Sequence, residues 1–484
     1  MSKNRVISVF LLVAIILLST PAVYAKPKTK DTDDSVAAKF DVNPASVMEI
    51  TTLEEELVDP IPWNVDMVNA EDLYNEGEGI YVAVLDTGLL SNYLDFFLEG
   101  IVDIKEEWGK GFTHDVFYVG SGGQWDDEGK FDYGPLRDDR GFITYDFGNP
   151  LWVYYPPDDD WYPYPFGSGH GTHVTSIVTG YHFTRGDVDT WVSGVAPKVT
   201  IIPVIVLDIW IAFEPDGTGY MWSGGTDEMV AAGIEYVGDL AKDHGVKIVI
   251  NMSLGGPTPS PEIEEAIDYA IEQGVIVVAS AGNEGEEGMG WPGAYPQVIS
   301  TAAAGWTQEY GGGYYDYYWW WEDVPEKLNA PNKVYDPINE ITYKNNWHTY
   351  LTDFSSRPNK DLGQSWKDLD VSAPGAAIRG PYKPYGPYDW GYYAVWGTSQ
   401  AAPHVSGISA LLLKQYNDLD QCQVENVLKH AARKVTMPAD GAFVSDVFSD
   451  FEVLHFNWSR HDAGYGFLTL DETMQSADSQ LKKK

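Results

Sequence analysis

From Ile80 onward the apolar positions fall in short unbroken runs, Ile80 to Leu85, Val199 to Val206, Lys247 to Ser253, Val275 to Ser280 and Val298 to Ala303. Runs of this length, with no polar position on alternate residues, predict strands buried on both faces. Between them the apolar positions recur at helical spacing, over Thr226 to Asp243, Pro261 to Gln273, Gln400 to Tyr416 and Gln423 to Arg433. Ser260 is placed to cap the second of these, with Pro261 at its first position and Gly274 past its end. The alternation of strand and helix predicts an α/β fold, a doubly wound and mostly parallel sheet with helices on both faces.

Three stretches interrupt this rhythm, at about 97–165, 305–351 and 381–396, all rich in Tyr, Trp, Gly, Pro and Asp. They are too long for ordinary connections and read as insertions into one domain spanning residues 61–475. The middle one holds an aromatic run, Tyr314 to Trp321, which is expected to bury itself against the core. Ahead of the domain, residues 1–25 combine Lys3 and Arg5, an apolar run and the small-residue end Val23-Tyr24-Ala25, the pattern of a cleaved secretory signal. That run is shorter than the roughly 18 to 20 residues a membrane span needs. The mature chain is therefore expected outside the cytoplasm, secreted or at the cell surface, with no membrane span. Residues 26–60 read as an acidic linker or short propeptide, and 476–484 as a polar tail.

Composition narrows the partners. Against 31 Lys and Arg stand 72 Asp and Glu, a net charge of −41 over 484 residues. Such a chain repels nucleic acid and anionic membrane surfaces. A single cysteine, Cys422, leaves no intrachain disulfide to form. A monomer acting on protein or peptide substrates, with no organic cofactor, is expected.

Three glycine-flanked motifs carry the candidate chemistry. Val84-Leu85-Asp86-Thr87-Gly88 sets a carboxylate at the carboxyl end of a buried strand, where open α/β sheets place their sites. Asp-Thr-Gly also marks aspartic peptidases, but those need a second such carboxylate and the chain has no second copy. Gly169-His170-Gly171-Thr172-His173-Val174 turns into a helix with His170 at its start, and His173 lies one turn further along an apolar face. Gly397-Thr398-Ser399-Gln400-Ala401-Ala402-Pro403-His404 leads into an Ala- and Leu-rich helix, with Ser399 where unpaired amides favour negative charge. An esterase of the α/β-hydrolase type would need Gly-x-Ser-x-Gly and the order Ser, Asp, His; here Ala401 replaces the second glycine and the order is Asp, His, Ser.

That order, with each residue in its own motif, resembles the subtilisin-like serine peptidases over roughly residues 63–474. The resemblance implies a catalytic triad of Asp86, His170 and Ser399. It assigns Asn283, in Ser280-Ala281-Gly282-Asn283-Glu284-Gly285, to the oxyanion hole beside the Ser399 backbone amide. Ser253, Leu254 and Gly255 match the segment that pairs with substrate backbone as an added strand. Gly290, in Gly290-Trp291-Pro292-Gly293, matches the far wall of the pocket for the residue before the scissile bond, and a glycine there implies room for a large apolar or aromatic side chain. Asp95 matches a family calcium ligand, with Asp187 and Asp189 as substitutes for altered partners, so a structural calcium ion is the one cofactor implied. Gln400 departs from the family methionine after the nucleophile, and the segment before the domain is shorter than the family's inhibitory prodomain.

Overall fold

The computed structural model describes residues 61–71, 76–90, 92–112, 168–185, 188–213, 219–307, 348–382, 391–437, 458–459 and 461–481, with isolated residues and short strands in between. Nearly all of the expected signal and acidic linker, most of the three insertions including the run from Tyr314 to Trp321, Asp187 and residues 482–484 lie outside the described residues.

In chain order the core elements begin with helix α1 (Trp63–Asp66), strands β1 (Tyr81–Asp86), β2 (Asp103–Ile104) and β3 (Lys110–Gly111), and helix α2 (Ser168–Thr179). A hairpin of β4 (Gly180–Arg185) and β5 (Val188–Ser193) leads to β6 (Thr200–Ile205), α3 (Asp227–His244), β7 (Ile248–Met252), α4 (Pro261–Glu272), β8 (Ile276–Ser280) and β9 (Ile299–Trp306). Then come β10 (Thr349–Leu351), β11 (Val371–Pro374), a hairpin of β12 (Ile378–Tyr382) and β13 (Gly391–Val395), and helices α5 (Thr398–Gln415), α6 (Gln421–Ala432) and α7 (Leu470–Leu481).

The strands form a nine-stranded sheet in the order β10-β9-β8-β7-β1-β6-β2, with β11 also beside β9 and β3 beside β6. Every pairing is parallel except β9 with β10. Helices α3 and α4 pack together against one face, and α2 with α5 against the other. Because both faces are covered, β7, β8 and β9 are buried at every position, which is why their sequences are apolar without alternation. Helix ends follow local chemistry: Thr226 accepts from the Met229 amide at the start of α3, and Gly245 closes it in the left-handed conformation. Asp420 and Gln423 form a reciprocal capping box on α6, which therefore starts two residues before the expected Gln423.

Three expected boundaries move. Residues 97–112 belong to the core: Phe96 and Phe97 are buried and β2 and β3 pair with β6, strands too short to leave a run in the sequence. At the second insertion, β9 continues to Trp306 and β10 adds to its edge, so both ends of that stretch are sheet. The polar tail begins inside α7, where Ser476 and Ala477 are buried beneath a mostly polar surface.

Beneath α6 lies a buried ion pair. Lys429 Nζ sits 2.6 Å from Asp370 Oδ1 and 2.5 Å from Glu425 Oε1, while the Ser300 amide donates to Asp370 Oδ2 at 2.8 Å. Burial pushes the Asp370 carboxyl up to about 7 against the pull of Lys429. Burial works against the Lys429 charge as well, but the two carboxylates raise its pKa. A carboxyl raised in the folded state holds its proton more tightly there than in the unfolded chain. Its contribution to stability is thus present in acid and lost as the pH rises through about 7. Replacing Lys429 by Met strands this anion, and should cost about 3 kcal/mol at alkaline pH, with a smaller loss at pH values where Asp370 is protonated. Urea unfolding of both proteins in a Ser399→Ala background at a series of pH values tests this; a loss independent of pH would show that the pair does not titrate this way.

Candidate functional site

The candidate residues lie at the carboxyl ends of central parallel strands and at the starts of two helices. β1 ends in Asp86, the chain leaving β7 passes through Ser253, Leu254 and Gly255, and the chain leaving β8 reaches Asn283. On the helix side, His170 lies in the first turn of α2 and Ser399 in the first turn of α5. The structure thus brings together residues scattered over more than three hundred positions of sequence.

Asp86 is fully buried. Its Oδ1 accepts from the Thr87 amide at 2.7 Å, and His170 Nδ1 lies 2.8 Å from Oδ1 and 2.9 Å from Oδ2. The contact needs the two loops to meet backbone to backbone. A Cβ on Gly171 would stand 2.2 Å from the Gly88 carbonyl oxygen, and Gly88 itself has φ +82°. Gly171 N donates to Thr87 Oγ1 at 3.0 Å, completing the junction. His170 Nε2 is buried and meets no hydrogen-bond partner among the described residues. The Ser399 hydroxyl donates instead to the Ser253 carbonyl at 3.1 Å.

Asn283 is oriented from one end. Its Oδ1 accepts from Thr398 N at 2.9 Å and from Thr398 Oγ1 at 3.0 Å, which leaves the Nδ2 hydrogens unpaired among the described residues, beside Gly397 at the start of α5. A cleft of about 270 Å³ runs between the wall of Ser253 to Pro257 and that of Gly282 to Gly290, with Ser399 at its edge. The two walls join where Gly256 and Trp291 exchange amide hydrogen bonds. Leu254, Met289 and Leu362 supply apolar lining, whereas Glu284 and Glu287 bring carboxylates that sequence inspection did not single out. Glu284 Oε2 is held by the Asn283 amide and Ser356 Oγ; Glu287 is exposed.

Two further histidines lie close by and are kept neutral. His173, buried as expected, donates from Nε2 to the Ile378 carbonyl at 3.1 Å, and burial with the neighbouring His170 pushes its pKa down to about 3. His404 donates from Nδ1 to the Gln400 carbonyl, so its Nε2 accepts from Asn64 Nδ2 at 2.9 Å. Burial lowers it to about 3 as well.

The expected calcium position is different in kind. Asp95 is exposed and its carboxylate takes the Asn92 amide at 3.0 Å. Asp189 pairs with His182 Nε2 at 2.7 Å, and His182 Nδ1 lies 3.2 Å from the Asp95 carbonyl. His182 thus links the Asp189 carboxylate to the Asp95 backbone carbonyl. Among the described residues no group of three or more His, Cys, Asp or Glu is gathered to hold a metal ion. Asp187, the other candidate ligand, lies outside the described residues.

The sequence matches the subtilase family over residues 77–451, and the chain belongs to that family. It is 31% identical over 277 residues to a subtilisin of Bacillus sp. (strain TA39), covering 54% of this chain and 51% of the relative. Fervidolysin of Fervidobacterium pennivorans is 31% identical over 315 residues, 64% of this chain and 35% of that protein. The chain thus spans about half or less of the length of these curated relatives. Two solved proteases, S41 psychrophilic protease (24% identity) and sphericase (23%), each match with a TM-score of 0.50 over 86% of this chain and 100% of theirs. At that identity they share the fold.

The glycine junction generates a test. Gly171→Ala forces the α2 start away from Gly88, so His170 should leave Asp86 while the buried sheet stays intact. Peptide-amide turnover is expected to fall about 100-fold or more, the scale on which displacement of a catalytic group by an ångström acts. Unchanged turnover in the folded variant would show that the tight approach does not set the His170 position.

Proposed function

We propose that the chain is a secreted serine endopeptidase, with Asp86, His170 and Ser399 as its triad. The observation that carries this reading is the buried Asp86–His170 contact beside a helix-start serine, with an amide donor, Asn283 Nδ2, left unpaired. His170 takes the Ser399 proton as the hydroxyl attacks the peptide carbonyl, then delivers it to the leaving amine. Asp86 holds the Nδ1 tautomer and stabilises the imidazolium. Water then resolves the acyl-enzyme by the same route. The tetrahedral oxygen sits between Asn283 Nδ2 and the Ser399 amide, with Thr398 keeping Asn283 in the required orientation.

Substrate pairs with Ser253, Leu254 and Gly255 as an extended strand, and its residue before the scissile bond enters the cleft opposite Gly290. The apolar lining and missing side chain at Gly290 favour a large apolar or aromatic residue. Glu284 and Glu287 favour a second reading of the same cleft, in which long basic side chains also enter, with the apolar stem along Leu254 and the charge near the carboxylates. No helix among the described residues is long and apolar enough to cross a membrane. The secretory-signal pattern of residues 1–25 supports work outside the cell, where the chain acts as a monomer on proteins or peptides.

Fluorophosphonate treatment of the purified protein should modify Ser399, and the Ser399→Ala control should take no label; absence of label from active-concentration protein would remove the serine mechanism. Asn283→Leu should lower kcat about 100- to 1000-fold with little change in KM, the range measured when a subtilisin loses such a donor. Profiling on a peptide library that varies the residue before the cut decides between the two pocket readings. Cleavage after Lys or Arg that weakens in Glu287→Gln supports the basic one, and cleavage after Phe, Tyr or Leu alone supports the apolar one.

A further inference from the structure

We propose that Asn251 and Ser406 are positioning residues for the Ser399 nucleophile, acting through Ser253. The proposal rests on the serine-peptidase reading above. It begins with a defect that the sequence builds into α5. In a regular helix the Ser399 carbonyl would accept from the amide four residues on, but that residue is Pro403, which has no N–H. Gly397, at the N-cap, supplies no side-chain cap bond either. The turn that carries the nucleophile therefore lacks two of the restraints that ordinarily hold a helix start.

Ser253 supplies the missing restraint. Its hydroxyl donates to the Ser399 carbonyl at 2.7 Å, while its own carbonyl accepts from the Ser399 hydroxyl at 3.1 Å. A hydroxyl has only one proton, so its direction depends on what else it meets. Asn251 Nδ2 donates to Ser253 Oγ at 3.0 Å, which commits the Ser253 proton to Ser399. The Asn251 carboxamide is itself turned the right way because its Oδ1 accepts from Ser406 Oγ at 2.9 Å. Asn251, Ser253 and Ser406 are all completely buried. Water cannot substitute for a partner that is lost, and the donor directions propagate along the chain.

The geometry closes on itself. Ser406 lies two turns along α5 from Ser399, and Asn251 and Ser253 flank the end of β7, so the bonds fasten helix to strand at two levels. With its backbone held in this way, Ser399 keeps a defined position for its hydroxyl, which in this structure rests on the Ser253 carbonyl. If the bracket is cut, the first turn of α5 wanders and fewer enzyme molecules hold the attack geometry. Ground-state binding, which depends on the cleft walls, changes little.

The test compares Ser406→Ala, Ser253→Ala, the double variant and Ser406→Thr with the wild type, using a chromogenic peptide amide and the rate of fluorophosphonate labelling. Ser406→Ala and Ser253→Ala are each expected to lower kcat and the labelling rate about tenfold, with KM within about twofold. Ser406→Thr, which keeps the hydroxyl, should restore both. The double variant should be no slower than Ser253→Ala, because Ser406 acts only through a link already removed. A merely structural role would lower the melting temperature and leave the kcat of the folded protein unchanged. Wild-type kcat in Ser406→Ala, or losses that multiply in the double variant, would overturn the proposal. Should Ser406→Ala not fold, Ser406→Cys carries the same comparison: an intermediate kcat supports the relay and a wild-type kcat refutes it. A wild-type protein that takes no label at Ser399 removes the nucleophile itself, and sinks the underlying reading before the variants are compared.

Discussion

A fully buried carboxylate, Asp86, is the constraint around which the site is organised. An anion removed from water costs several kcal/mol unless donors surround it. The Thr87 amide and His170 Nδ1 meet that demand at 2.7 and 2.8 Å. The first is local to the strand end, whereas the second depends on the approach of the β1 end to the α2 start, and that approach requires glycine at 88 and 171. The same strand end also holds its neighbour, since the Asp86 carbonyl accepts from Val206 and Leu207. A disturbance of β1, β6 or α2 therefore reaches the histidine.

Around this charge the neighbouring histidines are kept neutral. His173 and His404 are buried so deeply that neither becomes an imidazolium near neutrality, and each directs its one N–H toward a backbone carbonyl. A charge on His173 would oppose one on His170, one turn away. The excess of acidic residues over basic ones is carried elsewhere, on exposed positions such as Glu286, Glu287 and Asp95. The cleft is an exception, because Glu284 and Glu287 bring the surface charge to its wall. Acidity that reads as plain solvation in the composition thereby acquires a bearing on substrate choice.

What could be read from the sequence follows from how much local signal each feature leaves. Strands β1, β6, β7, β8 and β9 were predictable to within a few residues because burial on both faces removes polar positions altogether. Asp86, His170, Ser399 and Asn283 stood out because each needs glycine beside it, and glycine-rich motifs are visible without any structure. Strands β2 and β3 were not legible: two residues cannot display a period. The Asp95 expectation rested on less. A spacing identifies one carboxylate, whereas a cation site is a set, and here Asp189 pairs with His182 while Asp187 lies outside the described residues. Ser406 and Asn251 were equally silent, since a serine in a helix and an asparagine in a strand give no hint that they share a hydrogen bond.

The last silent contact shows what such links demand of folding. Asn64, in the four-residue helix α1, donates to His404 in the helix that carries the nucleophile, across 340 positions of sequence. Trp63, Asn64 and Val65 are buried, so the segment ahead of the sheet is part of the site's foundation. Asp86, His170, Asn283 and Ser399 are likewise distant from one another in sequence, and the sheet that orders them is almost wholly parallel. Parallel pairing and distant contacts require long loops to close before any of these bonds forms, which slows folding and leaves apolar strands exposed meanwhile. Helix α5 has its full set of contacts only when α1, β7 and the Ser253 segment are all in place. The bonds that hold its first turn thus join the most distant parts of the chain.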